Sequence, residues 1–145
     1  IDNAEQTIKN NLSALLGGVD AGGAYVFQIA NSDVMPHNEM GYATIGSGQQ
    51  PAASEFLESE YSAAASFDES LATVTAATVR ARQASGVGGN IDIGVVPPDS
   101  GPQMADEATV EALVARYEDI AEKQREVKGN ILNSEEVTWV SRGPP

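Results

Sequence analysis

The sequence contains no cysteine, a single histidine and a single tryptophan. The absence of cysteine excludes disulfide bonds, thiolate metal sites and a cysteine nucleophile. No apolar run approaches the roughly 20 residues that a membrane-spanning helix needs. The chain opens with no basic segment followed by an apolar one, the pattern of a signal peptide. We therefore expect a cytoplasmic protein that is not embedded in a membrane.

Positive charge is also scarce. Eight lysines and arginines face 21 acidic residues, so the net charge is −13. The negative charge is spread along the chain, because residues 1–50, 51–100 and 101–145 carry net charges of −4, −5 and −4. Such a surface repels nucleic acid and anionic membranes, and we expect neither as a partner. The pattern favours adaptation to high salt, with an ordinary acidic protein as the alternative.

Hydrophobic residues make up 41% of the 145 residues, enough for the core of one domain. The spacing of apolar residues predicts a short helix over 3–12. The segments 13–18 and 24–30 flank a glycine-rich turn and predict an antiparallel hairpin. After a second turn and a loop, residues 40–45 predict a third strand.

The rest of the chain is predicted to be mainly helical. Helices are predicted over 51–61 and 66–82, the second with the capping-box pattern Ser-x-x-Glu at its start. Alternating residues predict a half-buried strand over 90–96. Residues 106–127 predict a longer amphipathic helix, which we expect Gly129 to end. Hairpins followed by a helix pair imply an α+β fold.

An ordered set of motifs lies between Leu15 and Val96. It comprises LLGGVDAGGAYVFQI, YATIGSG, a helix with Leu57 and Tyr61, the capped helix opening SFDESL, and ASGVGGNIDIGVV. In order and spacing this set resembles the second half of a proteasome β-type subunit, a family of N-terminal-nucleophile hydrolases. The resemblance covers about 80 of the 145 residues. It assigns residues 1–100 to the C-terminal part of a proteasome-like domain and residues 101–145 to a C-terminal helix and tail.

The resemblance implies a four-layer αββα sandwich, in which two antiparallel sheets lie between helices. It also implies that the chain assembles with other subunits of the same or similar fold into a ring. In catalytic members the mature N-terminal threonine attacks the peptide carbonyl and its own amine serves as the base. That threonine, with an aspartate and a lysine that tune its amine, belongs to the family's first half. Nothing in this chain corresponds to that half, and Ile1 has no hydroxyl, so we expect an upstream half to be missing or the chain to be non-catalytic.

Three positions can be carried over from the family. Ser47, in the GSG turn, matches a serine that supports the active site, although a turn serine that caps the following helix is an equal alternative. Ser85 matches the serine of the family's Asp-x-x-Ser-Gly run. Arg82 stands where that run has its aspartate. A cation at this position would lower the proton affinity of a nearby amine, which counts against catalysis.

The remaining polar residues carry no expected chemistry. His37 lies in a loop beside Pro36 and is interpreted as a surface residue. Asp20 is expected to cap the hairpin turn, while Glu58, Glu60 and Asp92 are interpreted as solvated. No spacing of histidine and carboxylate residues resembles a zinc or calcium site, so we expect neither a metal nor another cofactor.

Three hypotheses follow. The first is a non-catalytic subunit of a ring or shell with a proteasome-like fold. The second is the C-terminal part of a threonine-type peptidase subunit whose nucleophile lies upstream. The third is an unrelated acidic α+β structural domain. The mass or N-terminal sequence of the native protein would discriminate between the first two.

If the dispersed negative charge is an adaptation to salt, the thermal stability should rise between low and molar salt, because the salt screens repulsion among the carboxylates. Melting curves followed by circular dichroism at increasing sodium chloride would measure this. A melting temperature that stays flat or falls over the range would contradict the halophilic interpretation.

Overall fold

The computed structural model describes residues 13–31 and 33–132. The elements in chain order are strands β1 (Ser13–Asp20), β2 (Gly23–Ala30) and β3 (Asp33–Pro36), helices α1 (Gln49–Glu58) and α2 (Phe67–Ala81), strands β4 (Gly94–Val95) and β5 (Gln103–Met104), and helix α3 (Glu107–Leu132). Every strand pair is antiparallel, which confirms the α+β class. The helix predicted for 3–12 and the tail with Trp139 lie outside the described residues.

The first three strands form one sheet in the order β1-β2-β3. The predicted hairpin is confirmed, with Leu16 opposite Phe27 and Asp20 opposite Gly23. Its turn is closed by Asp20, whose Oδ1 accepts a hydrogen bond of 2.7 Å from the backbone N–H of Gly22. Gly23 has a φ of 120°, which a residue with a side chain rarely adopts. The expectation that Asp20 caps the turn is therefore confirmed.

The third strand lies earlier than the sequence predicted. Residues 40–45 form no strand, whereas Asp33–Pro36, expected to be turn and loop, pairs with β2. A turn follows β3, in which Gly41 donates a hydrogen bond of 2.8 Å to the carbonyl of His37 and has a φ of 76°. A methyl group on Gly41 would lie 2.6 Å from the Cα of Ala63, so the backbone here packs against the loop after α1 and does not extend a sheet.

The helices α1 and α2 form an antiparallel pair, close to the predicted bounds. The capping box of α2 is present, since Ser66 accepts from the N–H of Glu69 and the carboxylate of Glu69 accepts from the N–H of Ser66. These contacts hold the pKa of Glu69 below its usual value, with the backbone N–H of Ser66 as the main cause. The capped start explains why this helix could be placed from the sequence alone.

The core of the helical part is small and partly aromatic. Ala52, Phe56 and Ala77 are buried together, and Tyr42, Tyr61 and Ala81 pack against them. The rings of Tyr42 and Phe56 are stacked with their centroids 4.2 Å apart, while Tyr61 meets Phe56 edge-on at 5.2 Å. Tyr42 thus serves the helical core from the segment that was predicted to be a strand.

An arginine links the helices. Nη1 of Arg80 on α2 lies 2.9 Å from a carboxylate oxygen of Glu55 and 2.9 Å from one of Glu58, both on α1. The Glu58 carboxylate is the main cause that raises the pKa of Arg80. Tyr117 of α3 lies against this cluster, and burial is the main cause that raises its pKa. Glu58 is exposed, with 61% of its side chain accessible, and Glu60 is exposed too, as expected for solvated residues; the pairing of Glu58 with Arg80 was not expected.

The helices pack on one another and not on the three-stranded sheet. Within the described part of the chain, α2 contacts both α1 and α3, and neither α1 nor α2 packs across the sheet. The resemblance implies helices packed on the sheet, as does the expected pairing of residues 51–61 and 66–82 with the hairpin, and for the described residues this expectation was wrong. The reason is that their small and aromatic residues (Ala52, Ala77, Phe56) form a core among themselves.

The strand predicted over 90–96 is reduced to Gly94–Val95, which pairs with Gln103–Met104. The predicted alternation still holds, because Ile93 is buried while Asp92 and Gly94 are exposed. This small sheet spans residue 100, the boundary proposed between the two parts of the chain. That division stays a prediction.

Helix α3 is confirmed but runs further than expected. It continues through Gly129 to Leu132, so Gly129 does not end it. Asp106 precedes its first turn and accepts a hydrogen bond of 2.8 Å from the N–H of Thr109, as an N-cap does. None of the described helices combines the length and the apolar character needed to cross a membrane.

Replacing Phe56 tests the helical core. Phe56→Ala should lower the free energy of unfolding by about 3–5 kcal/mol, because a ring that is 6% exposed and touches two other rings is lost. Its neighbour Leu57 is 71% exposed, so Leu57→Ala should change stability by less than about 0.5 kcal/mol. Urea denaturation followed by circular dichroism measures both. Equal costs for the two variants would show that this core is not formed.

Candidate functional site

The site suggested by the sequence lies where the start of α1 meets the end of α2. Gly48, the N-cap of α1, is buried against Ala81. A methyl group on Gly48 would lie 2.7 Å from the Cβ of Ala81 and 3.1 Å from its Cα. Real side chains do not approach so closely without a shift of the backbone, so this contact requires glycine.

This close contact brings together two turns that are far apart in the sequence. Gly48 is preceded by Ser47, and α2 is followed by the turn that carries Ser85 and Gly86. The hydroxyl oxygen of Ser47 lies 4.0 Å from the position that a Cβ would occupy on Gly86. Gly86 itself has a φ of 83°. The structure therefore places Ser47 beside the Ser85–Gly86 turn.

The proposed capping role of Ser47 is not realised. The N-cap of α1 is Gly48, and no side chain accepts a cap hydrogen bond there. Ser47 and Ser85 are both exposed. Their hydroxyls are thus available at the junction of the two helices, and the structural alternative for Ser47 loses its main support.

Arg82 lines a cleft that the two serines do not line. It is the C-cap residue of α2 and lines a cleft of about 440 Å³ together with Asp92, Glu107 and Glu111. Neither Ser47 nor Ser85 lines this cleft. None of the carboxylates described in the structure lies within 4.0 Å of the guanidinium group, so Arg82 has no ion pair in this part of the chain. Asp92 is exposed, as expected, and the acidic lining offsets the charge of Arg82.

His37 is more enclosed than its loop position suggested. It is half-buried, and its Nε2 lies 3.2 Å from the side-chain oxygen of Gln28 on β2. Its Nδ1 is buried without a hydrogen-bond partner among the described residues. His37 is thus only partly at the surface, because its ring pairs with Gln28 of β2 directly after β3. The backbone N–H of His37 also donates a hydrogen bond of 2.8 Å to the carbonyl of Val26, which continues the pairing of β3 with β2 by one residue.

A second cleft, of about 410 Å³, lies at the hairpin turn and is lined in part by Asp20, Tyr25 and Asn38. The side chains of Asp20 and Asn38 are already used locally, since Asn38 accepts a hydrogen bond of 3.0 Å from the N–H of Val26. Within the ranges 13–31 and 33–132, no three histidine or carboxylate side chains gather in a group that could hold a metal ion. The polar groups that remain as candidates in this part of the chain are therefore hydroxyl groups and ion pairs.

Neither a scan against protein-family models nor a search of curated proteins finds a match for this sequence. The functional argument therefore rests on the residues themselves and on their geometry.

The cluster of Arg80, Glu55 and Glu58 was not identified from the sequence. The spacing of three between the two glutamates on one helix was a usable signal, because residues three apart lie on the same side of a helix. What was missing was the position of Arg80, which depends on how the two helices pack. The cluster joins α1 and α2.

The contact at Gly48 can be tested by a double-mutant cycle with Ala81. Gly48→Ala should destabilise the protein by about 1–3 kcal/mol, because its methyl group overlaps α2. Ala81→Gly alone should cost about 1 kcal/mol through lost helix propensity. The double variant should lose less stability than the sum of the losses of the two single variants, because it no longer has the Cβ of Ala81 with which the new methyl group clashes.

Gly101→Ala serves as the control, because a methyl group there meets no atom within 4 Å. Its stability should stay within about 0.5 kcal/mol of the parent protein. If the loss of stability in the double variant equals the sum of the two single losses, the two residues do not touch.

Proposed function

We propose that this chain is a subunit with a proteasome-like fold in a ring or shell assembly, and that it is non-catalytic as it stands. The four-layer αββα sandwich belongs to this proposal, as do other subunits of the same or similar fold as partners. The described order of elements is compatible with it: an antiparallel three-stranded sheet, then an antiparallel helix pair, then a short strand.

The sheet carries the proposal, because large apolar side chains occur on both of its faces. By register and alternation, Leu16, Phe27 and Val34 share one face. Leu15 and Met35 lie on the other face, which is mixed, since Gln28 and His37 form a polar pair there. A sheet with one fully solvated face would carry mainly polar residues on that side. The layers of a sandwich would cover the apolar side chains on both sides of this sheet.

The covering layers are not supplied by the described helices. Leu16 is 54% exposed and Val34 is 61% exposed, although both lie on a sheet rich in apolar residues. Large apolar side chains grouped in this way mark a surface that is covered in the working protein. Further segments of the protein or neighbouring subunits would provide the cover in a ring assembly.

The contact between Ser47 and the Ser85–Gly86 turn supports the family assignment within this proposal. The resemblance marks these two turns independently, about 40 residues apart in the sequence. In the structure they meet at one place. A coincidental likeness of short motifs gives no reason for the two turns to be adjacent.

Arg82 supports a non-catalytic role. The resemblance implies an aspartate at this position, where its negative charge would stabilise the protonated amine of the nucleophile. An arginine reverses that effect. It also points to a different use of this region, since Arg82 lines a cleft with carboxylates and not with the two serines.

A second candidate is a threonine-type peptidase subunit of which this sequence is the C-terminal part. The position of Ser47 beside the turn that carries Ser85 favours it, because both residues that match supporting positions of the family lie in this region. The N-terminal sequence of the native protein distinguishes the two candidates. A mature chain that begins with threonine and hydrolyses fluorogenic peptides would establish the peptidase and refute the non-catalytic role.

The assembly itself is tested on the native protein purified in molar salt. Light scattering should give a mass of several subunits, and negative-stain images should show rings or stacked rings. Leu16→Glu should reduce the particle mass, because it places a charge on a covered apolar face. Leu57→Glu introduces the same charge at an exposed position of α1 and should leave the mass unchanged.

Circular dichroism of each variant separates loss of assembly from loss of folding. A parent protein that is monomeric and unfolds in one cooperative step would contradict the ring proposal. That outcome would favour the third hypothesis, an unrelated acidic α+β domain.

A further inference from the structure

The cleft between the end of α2 and the start of α3 is lined by side chains of both charges that do not pair with one another. Arg82 supplies one positive charge, and Asp92, Glu107 and Glu111 supply three negative charges. None of these carboxylates lies within 4.0 Å of the guanidinium group, and no lysine or arginine of the described chain forms an ion pair with them. The cleft therefore leaves room between its opposite charges for a ligand that carries both.

The positive charge and most of the negative charge come from different elements. Nη2 of Arg82 lies 3.9 Å from the position that a Cβ would occupy on Gly89, so the guanidinium group extends along the loop after α2. The two glutamates belong to the first turns of α3. The loop and the start of α3 are tied together, because the backbone N–H of Ala105 donates a hydrogen bond of 2.8 Å to the carbonyl of Ile93. The cleft thus has a basic side and an acidic side on connected elements.

The two glutamates repel each other. Glu107 and Glu111 are four residues apart on α3, a spacing that places their Cβ atoms about 6 Å apart on one side of the helix. Like charges at this spacing destabilise a helix. Asp119 has the same spacing from Lys123 on α3, and there the opposite charges form an ion pair of 2.6 Å. A cation bound between Glu107 and Glu111 would replace the repulsion by attraction.

Apolar side chains complete the lining of the cleft. Ile91, Val110 and Val114 are half-buried and line the same space as the charged groups. Both valines lie on the same side of α3 as the glutamates, because residues three and four apart are neighbours on a helix. The volume of about 440 Å³ lies within the range of small-molecule sites, roughly 300–1,000 Å³. A short chain of methylene groups between charged ends fits this combination of surfaces.

We propose that this cleft binds a free amino acid with a basic side chain, arginine or lysine. The carboxylate of the ligand lies against the guanidinium group of Arg82, where two parallel hydrogen bonds can form. The two cationic groups of the ligand lie against Asp92 and the glutamates of α3, and its methylene groups lie over the valines. The lining carries one positive and three negative charges. A ligand with one negative and two positive charges complements it better than an anion or an uncharged molecule does.

This binding site goes beyond the proposed ring subunit and does not depend on it. The residues that line the cleft belong neither to the three-stranded sheet nor to the turns with Ser47 and Ser85. The net charge of −13 acts in the same direction, since a negative protein attracts cationic ligands and repels acidic ones.

Equilibrium dialysis of the full chain against labelled L-arginine tests the site without any substitution. L-Arginine should bind saturably. Two analogues compete for the site: agmatine, which lacks the carboxylate, and citrulline, whose side chain is uncharged. Each should compete at least roughly tenfold less well than L-arginine, because each leaves one sign of charge in the cleft without its partner. These measurements use the parent protein, so they do not depend on how a variant folds.

Single variants assign the two ends of the ligand. Arg82→Gln should weaken the binding of L-arginine by roughly tenfold or more, yet it should not weaken the binding of agmatine, which has no carboxylate to lose. Glu111→Gln should weaken the binding of both ligands. Arg125→Gln and Glu118→Gln make the same charge changes at exposed positions of α3 outside the cleft and should leave binding unchanged. Circular dichroism verifies the fold of each variant.

Three outcomes overturn the proposal. The first is the absence of saturable binding of L-arginine to the parent protein. The second is agmatine binding as tightly as L-arginine, because Arg82 would then have no role in the site. The third is an equal effect of the control variants, which would show attraction by net charge alone. Dialysis does not measure particle mass, so this proposal and the ring proposal can each fail without the other.

Discussion

Gly48 and Ala81 touch where the start of α1 meets the end of α2, and this contact sets how closely the two helices pack. Without a side chain on Gly48, the helices come near enough for Ala52, Phe56 and Ala77 to form a core. The same approach positions Arg80 against the two glutamates of α1. It also carries Ser47 to the turn with Ser85 and Gly86. One small residue thus supports both the packing and the candidate site.

The charge distribution imposes a second constraint. In a chain with a net charge of −13, 21 carboxylates face eight lysines and arginines, so each cation is surrounded by an excess of negative charge in the sequence. Arg80 joins α1 and α2 beside Tyr117, Arg82 lines a cleft with acidic residues, and the remaining described cations lie on α3. The positive charges of the described residues are therefore found where two helices meet, at a cleft and along α3. Their pattern says more about contacts than the dominant negative charge does.

Two surfaces of the described chain share one property. The sheet exposes Leu16 and Val34, and α3 exposes Ile120 and Val127, although all four are large and apolar. Association would remove these side chains from water and so would stabilise the assembled protein. The sheet faces suit the layers of the proposed sandwich, which would cover them.

The amino-acid sequence by itself determined those features that depend on neighbouring residues. The hairpin followed from a glycine-rich turn between two β-prone segments, and α2 followed from its capping box at Ser66. The long helix followed from its apolar spacing, although Gly129 could not be judged, because a glycine lowers helix propensity without always ending a helix. The resemblance also selected Ser47 and Ser85 from two turns that are far apart in the sequence.

Only the tertiary structure decided the features that depend on distant residues. The segment from Met40 to Ile45 has the composition of a strand, yet Tyr42 stacks on Phe56. A tyrosine ring buries more apolar surface in a core than it would on an exposed edge strand. The packing of helices on each other, the partner of Arg80 and the meeting of Ser47 with Gly86 all depend on the approach at Gly48. The close contact between Gly48 and Ala81 depends on how α1 and α2 fit together, and the helix propensity of either segment does not predict it.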